Sequence, residues 1–210
     1  MTGTPRRAWP GKPPEFTDYP TLDRDQATAA ARRLMALRGE GAPVSDNRLL
    51  TIERFCRMEA RLLDDEAYPA WLDLLADDLY YWMPVRHNRY RADAAGEIDI
   101  NGMAFFDDRK RDIVQRIARI ASAKVWGEDP PTRHVYIIGN VEAFETDIPG
   151  EYEIQSTFIQ TRSRGEHDET TLLGRRKDIL RAAGDSYQIV GRLILVSQST
   201  LLSKNLSAFF

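Results

Sequence analysis

Cysteine is almost absent from this 210-residue chain, which contains only Cys56. A single cysteine rules out an intrachain disulfide and agrees with a reducing compartment, so we expect the protein to be cytoplasmic. A Rieske-type iron–sulfur centre needs two cysteine and two histidine ligands. Such a centre is therefore excluded from this polypeptide.

Histidine is scarce as well, and its spacing argues against a metal site. His87, His134 and His167 are far apart in the sequence, and no two of them form a closely spaced ligand pair. A mononuclear iron site with two histidines and one carboxylate therefore has no supporting pattern. We interpret the three histidines as hydrogen-bonding residues, and we predict no catalytic, cofactor-binding or metal-binding residue in this chain.

Long apolar runs and excess positive charge are missing too. No segment approaches the roughly 20 apolar residues of a membrane span. Arg6 and Arg7 are followed by Ala8-Trp9-Pro10, without the apolar core of a signal peptide. The formal net charge of −3 supplies no general basic face for releasing counterions from nucleic acid. We therefore expect neither a membrane nor a nucleic acid as a partner.

The first part of the chain predicts an arm followed by a short helix. Residues 1–20 hold five of the eleven prolines, which indicates an extended arm outside the core. A helix then runs from an N-cap at Asp23 to a stop at Gly39. Its apolar face carries Ala27, Ala30, Leu34 and Leu37. We assign residues 1–44 to this arm and helix, and residues 45–210 to a single α+β domain.

A longer helix is predicted next, from a cap at Ser45 or Asp46 to the Asp64-Asp65 pair. Its apolar stripe has helical spacing: Leu49, Ile52, Phe55, Cys56, Ala60 and Leu63. Tyr68-Pro69 opens a short third helix, and Asp77–Pro84 then has the aromatic character of a strand. Residues 88–105 are predicted to be irregular. Asp107-Asp108 is predicted to cap a further helix.

After Pro131 the pattern changes to four strands, at 133–144, 151–163, 169–182 and 186–198. The short turns between them, at Pro149-Gly150, Gly165 and Gly184-Asp185, predict an antiparallel meander. Glycines inside the strands predict bulges or bends, and hence a strongly curved sheet: Gly139, Gly174 and Gly191. Helices followed by a curved sheet predict an α+β cone, in which an antiparallel sheet wraps around the long helix.

Such a cone can hold a pocket, which leaves three functions open. A standalone isomerase or dehydratase would use a buried carboxyl group of raised pKa with a histidine or tyrosine. The nearest candidates are Asp65, Asp78, Tyr68 and Tyr80, although no spacing selects a set among them. A small aromatic-ligand binding module and an assembly subunit are the other two hypotheses.

The assembly hypothesis explains two apolar clusters. Trp82 and Met83 belong to a dense run of large side chains, a composition that is enriched at interfaces as well as in cores. The chain ends on Leu206, Phe209 and Phe210, and exposed apolar clusters of this kind promote aggregation. We expect the tail to dock in its own domain or on a neighbouring subunit, and we take these five residues as candidate interface residues.

An ordered set of motifs resembles one family, the beta (small) subunits of Rieske-type aromatic-ring-hydroxylating dioxygenases. The motifs are Glu59–Asp65, Tyr68, Trp71, Leu74-Leu75, Tyr81–Pro84, Phe106–Asp108, Trp126–Pro130, Asn140-Val141, Gly174–Leu180, Gln198–Leu202 and Asn205–Phe210. Together they cover about residues 46–210. After Pro131 relatives often carry Ser-Arg-Thr-Arg-His, whereas this chain has Thr132-Arg133-His134-Val135-Tyr136. No interface role is transferred to those positions.

The resemblance implies a cystatin-like or scytalone-dehydratase-like fold with additional N-terminal helices. It also implies an α3β3 hexamer with beta–beta contacts, in which the alpha subunit holds the Rieske [2Fe–2S] cluster, the mononuclear iron and the substrate pocket. The beta subunit would be structural and free of cofactors. Electrons from NADH would reach alpha through a reductase and ferredoxin, and an aromatic hydrocarbon would become a cis-dihydrodiol. The hydrocarbon itself, whether biphenyl-like, polycyclic or monocyclic, is left open.

Overall fold

The computed structural model describes residues 19–90, 92–121, 132–164, 168–199, 201 and 208–210. Four sequence predictions therefore lie outside the described residues: the arm up to residue 18, His167, the turn at Gly165 and the placement of Leu206. The same is true of the Trp126–Pro130 motif.

Helix α1 spans Arg24–Ala36 and confirms the predicted start. The Asp23 carboxylate accepts the Gln26 N–H at 2.8 Å, and the Gln26 side chain accepts the Asp23 N–H at 3.0 Å. This reciprocal capping box satisfies two N–H groups that a helix start leaves without partners. The helix ends at Ala36, short of the predicted stop at Gly39.

Two further helices follow the prediction closely. Helix α2 spans Asp46–Asp64, with Ser45 as N-cap, and it buries the predicted stripe through Ile52, Phe55 and Leu63. Helix α3 spans Tyr68–Leu72 and begins with a proline in its first turn, where the missing N–H costs nothing.

Within the described residues, six strands form one sheet in the order β2-β1-β6-β5-β4-β3. Their bounds are β1 Leu75–Pro84, β2 Ala104–Arg109, β3 Arg133–Glu145, β4 Glu151–Arg164, β5 Asp168–Ala183 and β6 Ser186–Val196. The last four strands form the predicted antiparallel meander. The α+β class is thus confirmed.

One pairing differs from the fully antiparallel prediction, because β1 and β6 run parallel. The chain crosses to the far edge of the sheet at β3, and the three reversals of the meander bring β6 back beside β1 in the same direction. The sequence predicts the local hairpins from their turns. It carries no comparable signal for a pairing between strands so far apart in the chain.

The prediction for Asp107-Asp108 was wrong. Both residues lie in β2, an edge strand that pairs with β1, and helix α4 begins after it and spans Lys110–Ala121. Asp112 makes the cap-like contact, since it accepts the Arg109 N–H at 2.9 Å. A six-residue edge strand with three charged residues has too little apolar pattern to be recognised before its partner is known.

The sheet has a core on each face. Alternation along β1 sends Leu79, Tyr81 and Met83 to the main core, which helices α2, α3 and α4 cover. Tyr80 and Trp82 point to the opposite face, where they pack with Leu34 of α1 in a second cluster. We call the side that carries the main core the inner face, and the side that carries α1 the outer face.

The three strand glycines have different roles. The β3–β4 register shifts after Gly139, and the β5–β6 register shifts beside Gly191, as predicted for bulges. Gly174 instead pairs regularly with both neighbouring strands. A Cβ atom there would lie 2.6 Å from the Leu195 carbonyl oxygen and 2.7 Å from Cε1 of Phe158. Gly174 therefore permits close packing between backbone and ring.

Replacing Gly174 with alanine is expected to lower the free energy of unfolding by about 1–3 kcal/mol, because the added methyl group overpacks the core. Gly139→Ala is the matched control, since its Cβ would have no neighbour nearer than 3.9 Å. Urea titration of both variants measures the difference. Equal losses in the two variants would show that the close approach at Gly174 is unimportant.

Candidate functional site

The interior of the cone contains four charged side chains rather than an apolar centre. Glu59 comes from α2, Arg176 and Asp178 from β5, and Arg192 from β6; each of them is about 1 % exposed. Charges that are buried this completely require partners, because an unpaired ion in a low-dielectric interior is strongly unfavourable. Their geometry therefore shows whether this cluster is a structural network or a reactive site.

Arg192 connects both carboxylates. Its Nη1 donates to Glu59 Oε1 at 2.5 Å and its Nη2 to Oε2 at 3.0 Å. On its other side, Nε and Nη2 donate to the two Asp178 oxygens at 2.8 Å each. Arg176 lies further away, with Nη1 3.4 Å from Glu59 and Nε 3.8 Å from Asp178. Two arginines thus neutralise two carboxylates.

Glu59 is held ionised by this arrangement. Burial raises its pKa, but the charges of Arg192 and Arg176 outweigh burial and, together with hydrogen bonds from Arg192 and Trp71, lower the pKa to about 2. The Trp71 indole N–H donates to Glu59 at 3.1 Å. A carboxyl group with so low a pKa is ionised at neutral pH and is a poor proton donor. Acid–base catalysis would instead need a raised pKa.

The end of the chain lies in the same interior. The Tyr81 hydroxyl donates to the main-chain oxygen of Phe210 at 2.7 Å and accepts the Phe210 N–H at 2.5 Å. Arg192 Nη1 donates to the same Phe210 oxygen at 2.7 Å. The polar network and the terminal residue are therefore one hydrogen-bonded unit.

Aromatic rings fill the remaining space. The Phe209 ring lies 4.7 Å from that of Trp71 and 5.7 Å from that of Tyr68, measured between centroids. The Phe210 ring lies 5.6 Å from Phe158 and 6.3 Å from Phe106. Apart from Tyr68, each of the residues that carry these rings is at most 2 % exposed. The region where a cone would hold a substrate is occupied by the chain itself.

The predicted acid–base candidates are not brought together. Asp65 is an exposed C-cap of α2, and Asp78 is half-exposed and paired with Arg181 on the surface. Tyr68 lies in the main core beside Phe209, whereas Tyr80 lies on the outer face under the guanidinium of Arg109. His134 hydrogen-bonds to Gln160 at 3.0 Å, and His87 lies on the loop after β1.

The candidate interface residues that the structure describes are buried within the chain. Trp82 packs under α1 on the outer face, and Met83 lies in the main core. Phe209 and Phe210 fill the interior, which accounts for their apolar character at the end of the sequence. Their role at a subunit contact stays a prediction, as does that of Leu206.

An exposed apolar patch escaped the sequence analysis. Ile137, Ile159 and Leu173 are direct cross-strand partners on β3, β4 and β5, and Val135 lies two residues from Ile137. Their exposed fractions are 58 %, 39 %, 50 % and 55 % in that order. We call these four residues the sheet patch. They lie on the outer face, because Leu173 alternates in phase with Lys177, which donates to the Leu37 carbonyl oxygen just after α1.

Uncharged threonines extend this patch. Thr161 of β4 is the cross-strand partner of Val135 on one side and of Thr171 on the other. The two threonine hydroxyl groups are 3.3 Å apart. Helix α1 covers the part of the outer face around Trp82 and Leu193, but not the sheet patch or these two threonines. The sequence did contain a signal for the patch in Val135-Tyr-Ile-Ile138, because apolar residues at consecutive strand positions point to both faces of the sheet.

No cluster of three or more His, Cys, Asp or Glu side chains that could hold a metal ion occurs among the described residues. Within the same residues, no helix is both long enough and apolar enough to cross a membrane.

Fold and interior together define an α+β cone protein whose centre is filled by its own aromatic and paired charged side chains. Comparison with known proteins identifies the family. Residues 58–203 match the family model described as the ring hydroxylating beta subunit. The chain therefore belongs to the family of ring-hydroxylating dioxygenase beta subunits, which confirms the resemblance seen in the sequence motifs.

Two relatives show how closely the chain follows this family. It is 40 % identical over 178 residues to the biphenyl 2,3-dioxygenase subunit beta of Rhodococcus jostii, covering 83 % of this chain and 95 % of the relative. It is 41 % identical over 172 residues to a benzene 1,2-dioxygenase subunit beta of Pseudomonas putida, covering 80 % and 92 %. The chain is thus a subunit of an aromatic-ring-hydroxylating dioxygenase, and a beta subunit implies an alpha partner.

Solved structures agree on the fold. A chain of naphthalene 1,2-dioxygenase with indole bound in the active site superimposes with a TM-score of 0.72 at 22 % identity, covering 90 % of this chain and 95 % of that one. The beta subunit of benzoate 1,2-dioxygenase from Burkholderia mallei gives a TM-score of 0.52 at 25 % identity, covering 70 % and 88 %. The cone predicted from the helix-then-sheet order is the fold of these proteins.

Proposed function

We propose that this chain is the non-catalytic assembly subunit of its dioxygenase. The observation that carries the proposal is the filled interior. Phe209, Phe210 and the Glu59–Arg192–Asp178 network occupy the volume in which a cone-shaped enzyme would bind a substrate. Glu59, the carboxylate nearest the centre, is held ionised by the charges of Arg192 and Arg176.

The catalytic groups belong, in this proposal, to the alpha subunit. A Rieske [2Fe–2S] cluster does not fit this chain, because Cys56 is buried in the core and is the single cysteine. Burial also raises the pKa of the Cys56 thiol to about 12, which disfavours the thiolate that ligates metals. We assign the cluster, the mononuclear iron and the aromatic substrate pocket to alpha.

Family membership supports proposals about the finer features of the complex. We propose an α3β3 hexamer in the cytoplasm, with electrons from NADH supplied to alpha by a reductase and ferredoxin. The product would be a cis-dihydrodiol of an aromatic hydrocarbon. The relatives named above act in biphenyl and benzene dioxygenases, and these monocyclic and biphenyl-like substrates are the class we propose for the complex.

The sheet patch is the surface we propose for contact with alpha. Four aliphatic side chains exposed together on three neighbouring strands are typical of an interface, since scattered apolar residues are common but contiguous ones are not. A beta subunit implies an alpha partner, and we therefore propose alpha as the occupant of this surface. Leu50, which is exposed on α2, offers a control outside the patch.

We expect Ile137→Asp combined with Leu173→Asp to weaken association with alpha at least tenfold, about 1.4 kcal/mol, because two carboxylates would lose water at the contact. Co-expression of alpha with the tagged chain, followed by size-exclusion chromatography, measures the assembly. The melting temperature of the isolated variant verifies its fold. Leu50→Asp should assemble like the wild type.

Two outcomes would contradict the proposal separately. Normal assembly of the double variant would remove the sheet patch as the contact with alpha. Stoichiometric iron, or dihydroxylation activity, in the purified chain alone would overturn the non-catalytic role.

A further inference from the structure

The last three residues of the chain are bound in the interior as a ligand is bound in a pocket. Ala208, Phe209 and Phe210 are 5 %, 2 % and 1 % exposed. They contact groups contributed by elements far away in the sequence, from α3 to β6. The contacts involve both the main chain and the side chains, so the segment is recognised at several separate points.

The polar contacts are placed by groups that do not depend on the tail. Arg192 is already fixed by the Glu59 and Asp178 carboxylates, and one of its N–H groups points at the Phe210 main-chain oxygen, 2.7 Å away. Tyr81 contacts both the oxygen and the N–H of Phe210 through one hydroxyl. A preorganised donor and a matching acceptor therefore define one position for the main chain of an aromatic residue.

The ring contacts define two adjacent slots that share Phe106 as a wall. Trp71 and Tyr68, both from α3, contact the Phe209 ring at centroid distances of 4.7 and 5.7 Å. Phe158 of β4 and Phe106 of β2 contact the Phe210 ring at 5.6 and 6.3 Å. Edge-to-face and tilted arrangements at these distances are favourable beyond simple area burial. The walls of both slots come entirely from residues outside the tail.

We propose that the interior is a binding site for a peptide segment with two consecutive aromatic residues. In the folded chain its own Ala208–Phe210 segment occupies the site, and the same site should accept an equivalent peptide from a second molecule. The required ligand chemistry is an aromatic ring in each slot and a main-chain N–H and oxygen at the second aromatic residue. This inference uses the same filled interior as the assembly function proposed above, which iron content and dihydroxylation activity of the purified chain test separately.

The test uses the full-length chain with Phe209→Ala and Phe210→Ala, which empties both slots without shortening the protein. A peptide acetyl-Ser-Ala-Phe-Phe at about 1 mM, near the effective concentration of a tethered segment, is expected to raise the melting temperature of this variant by about 4 °C or more. Acetyl-Ser-Ala-Ala-Ala is the matched control and should cause no shift. The wild-type chain should respond little, because its own tail competes.

A second measurement covers the case in which the double variant does not fold. Tyr81→Phe removes the hydroxyl contact with Phe210, whereas Tyr187→Phe removes a hydroxyl that contacts Thr51 at 2.8 Å and leaves the tail untouched. Amide hydrogen exchange of the C-terminal fragment, followed by mass spectrometry, should be about tenfold faster in Tyr81→Phe. It should be unchanged in Tyr187→Phe. Added acetyl-Ser-Ala-Phe-Phe should accelerate exchange of the chain's own tail in Tyr81→Phe further.

Two results would overturn the proposal. One is a double variant with native-like circular dichroism that gives no thermal shift with the aromatic peptide. The other is tail exchange in Tyr81→Phe that the peptide does not change, which would show that the terminal residues are ordinary core and not the occupant of a site.

Discussion

Replacing Glu59 with glutamine is expected to lower the free energy of unfolding by about 3–5 kcal/mol, although the two side chains have nearly the same shape. The change removes one negative charge from a cluster that is about 1 % exposed. Of the side-chain carboxylates described in the network, Arg192 and Arg176 would then share Asp178 alone. Breaking a buried ion pair by removing one partner has a cost of this size, because the remaining charge is buried without compensation.

The same residue predicts a dependence of stability on pH. The pKa of Glu59 in the folded protein is lowered to about 2 by Arg192 and Arg176, against the effect of burial. A carboxyl group with a lowered folded pKa stabilises the fold above its unfolded pKa of about 4.3. That contribution is lost as the pH falls from there through about 2. The wild-type chain should therefore lose more stability in this window than Glu59→Gln does.

Urea titrations at pH 7 and at lower pH values measure both effects. Glu53→Gln is the matched control, because Glu53 lies on the same helix and pairs with Arg57 at the surface. Exposed pairs of this kind contribute at most about 1 kcal/mol. If Glu53→Gln and Glu59→Gln had similar unfolding free energies and similar acid profiles, the buried network would not be stabilising the fold.

The sequence predicted most of the local structure because the relevant signals are local. Asp23 and Ser45 stand at helix starts, where their side chains cap N–H groups, and the stripe through Ile52, Phe55 and Leu63 has helical spacing. The turns at Gly150 and Gly184 have positive φ, which glycine adopts without strain. These features need no knowledge of the rest of the chain.

The interior network and the sheet patch depend instead on contacts between distant residues. Glu59 and Arg192 are 133 positions apart, and nothing near either residue specifies the other. A signal did exist, since Arg192 stands between Ile189-Val190-Gly191 and Leu193-Ile194 in an otherwise apolar part of the strand. A charged residue in such a strand predicts a buried partner without identifying it.

Replacing Phe209 with alanine is the second change with a large expected effect, about 3–5 kcal/mol of unfolding free energy. The ring lies against Trp71, Tyr68 and Phe106, and the residue is 2 % exposed. Its loss would leave a cavity between α3 and β2 that these rigid rings can fill only in part. Thermal and urea unfolding of the isolated chain, without alpha, measure this loss directly.

The Phe209→Ala experiment also separates a core role from the interface role that the sequence suggested for Phe209. A core residue lowers the stability of the isolated chain, and assembly with alpha then falls only as far as the folded fraction falls. An interface residue leaves the isolated chain stable and weakens assembly alone. Tyr90→Ala serves as the control, since Tyr90 is a large aromatic residue that is 92 % exposed and should leave unfolding within about 0.5 kcal/mol of the wild type. Unchanged stability of Phe209→Ala together with poor assembly would show that the side chain acts between subunits.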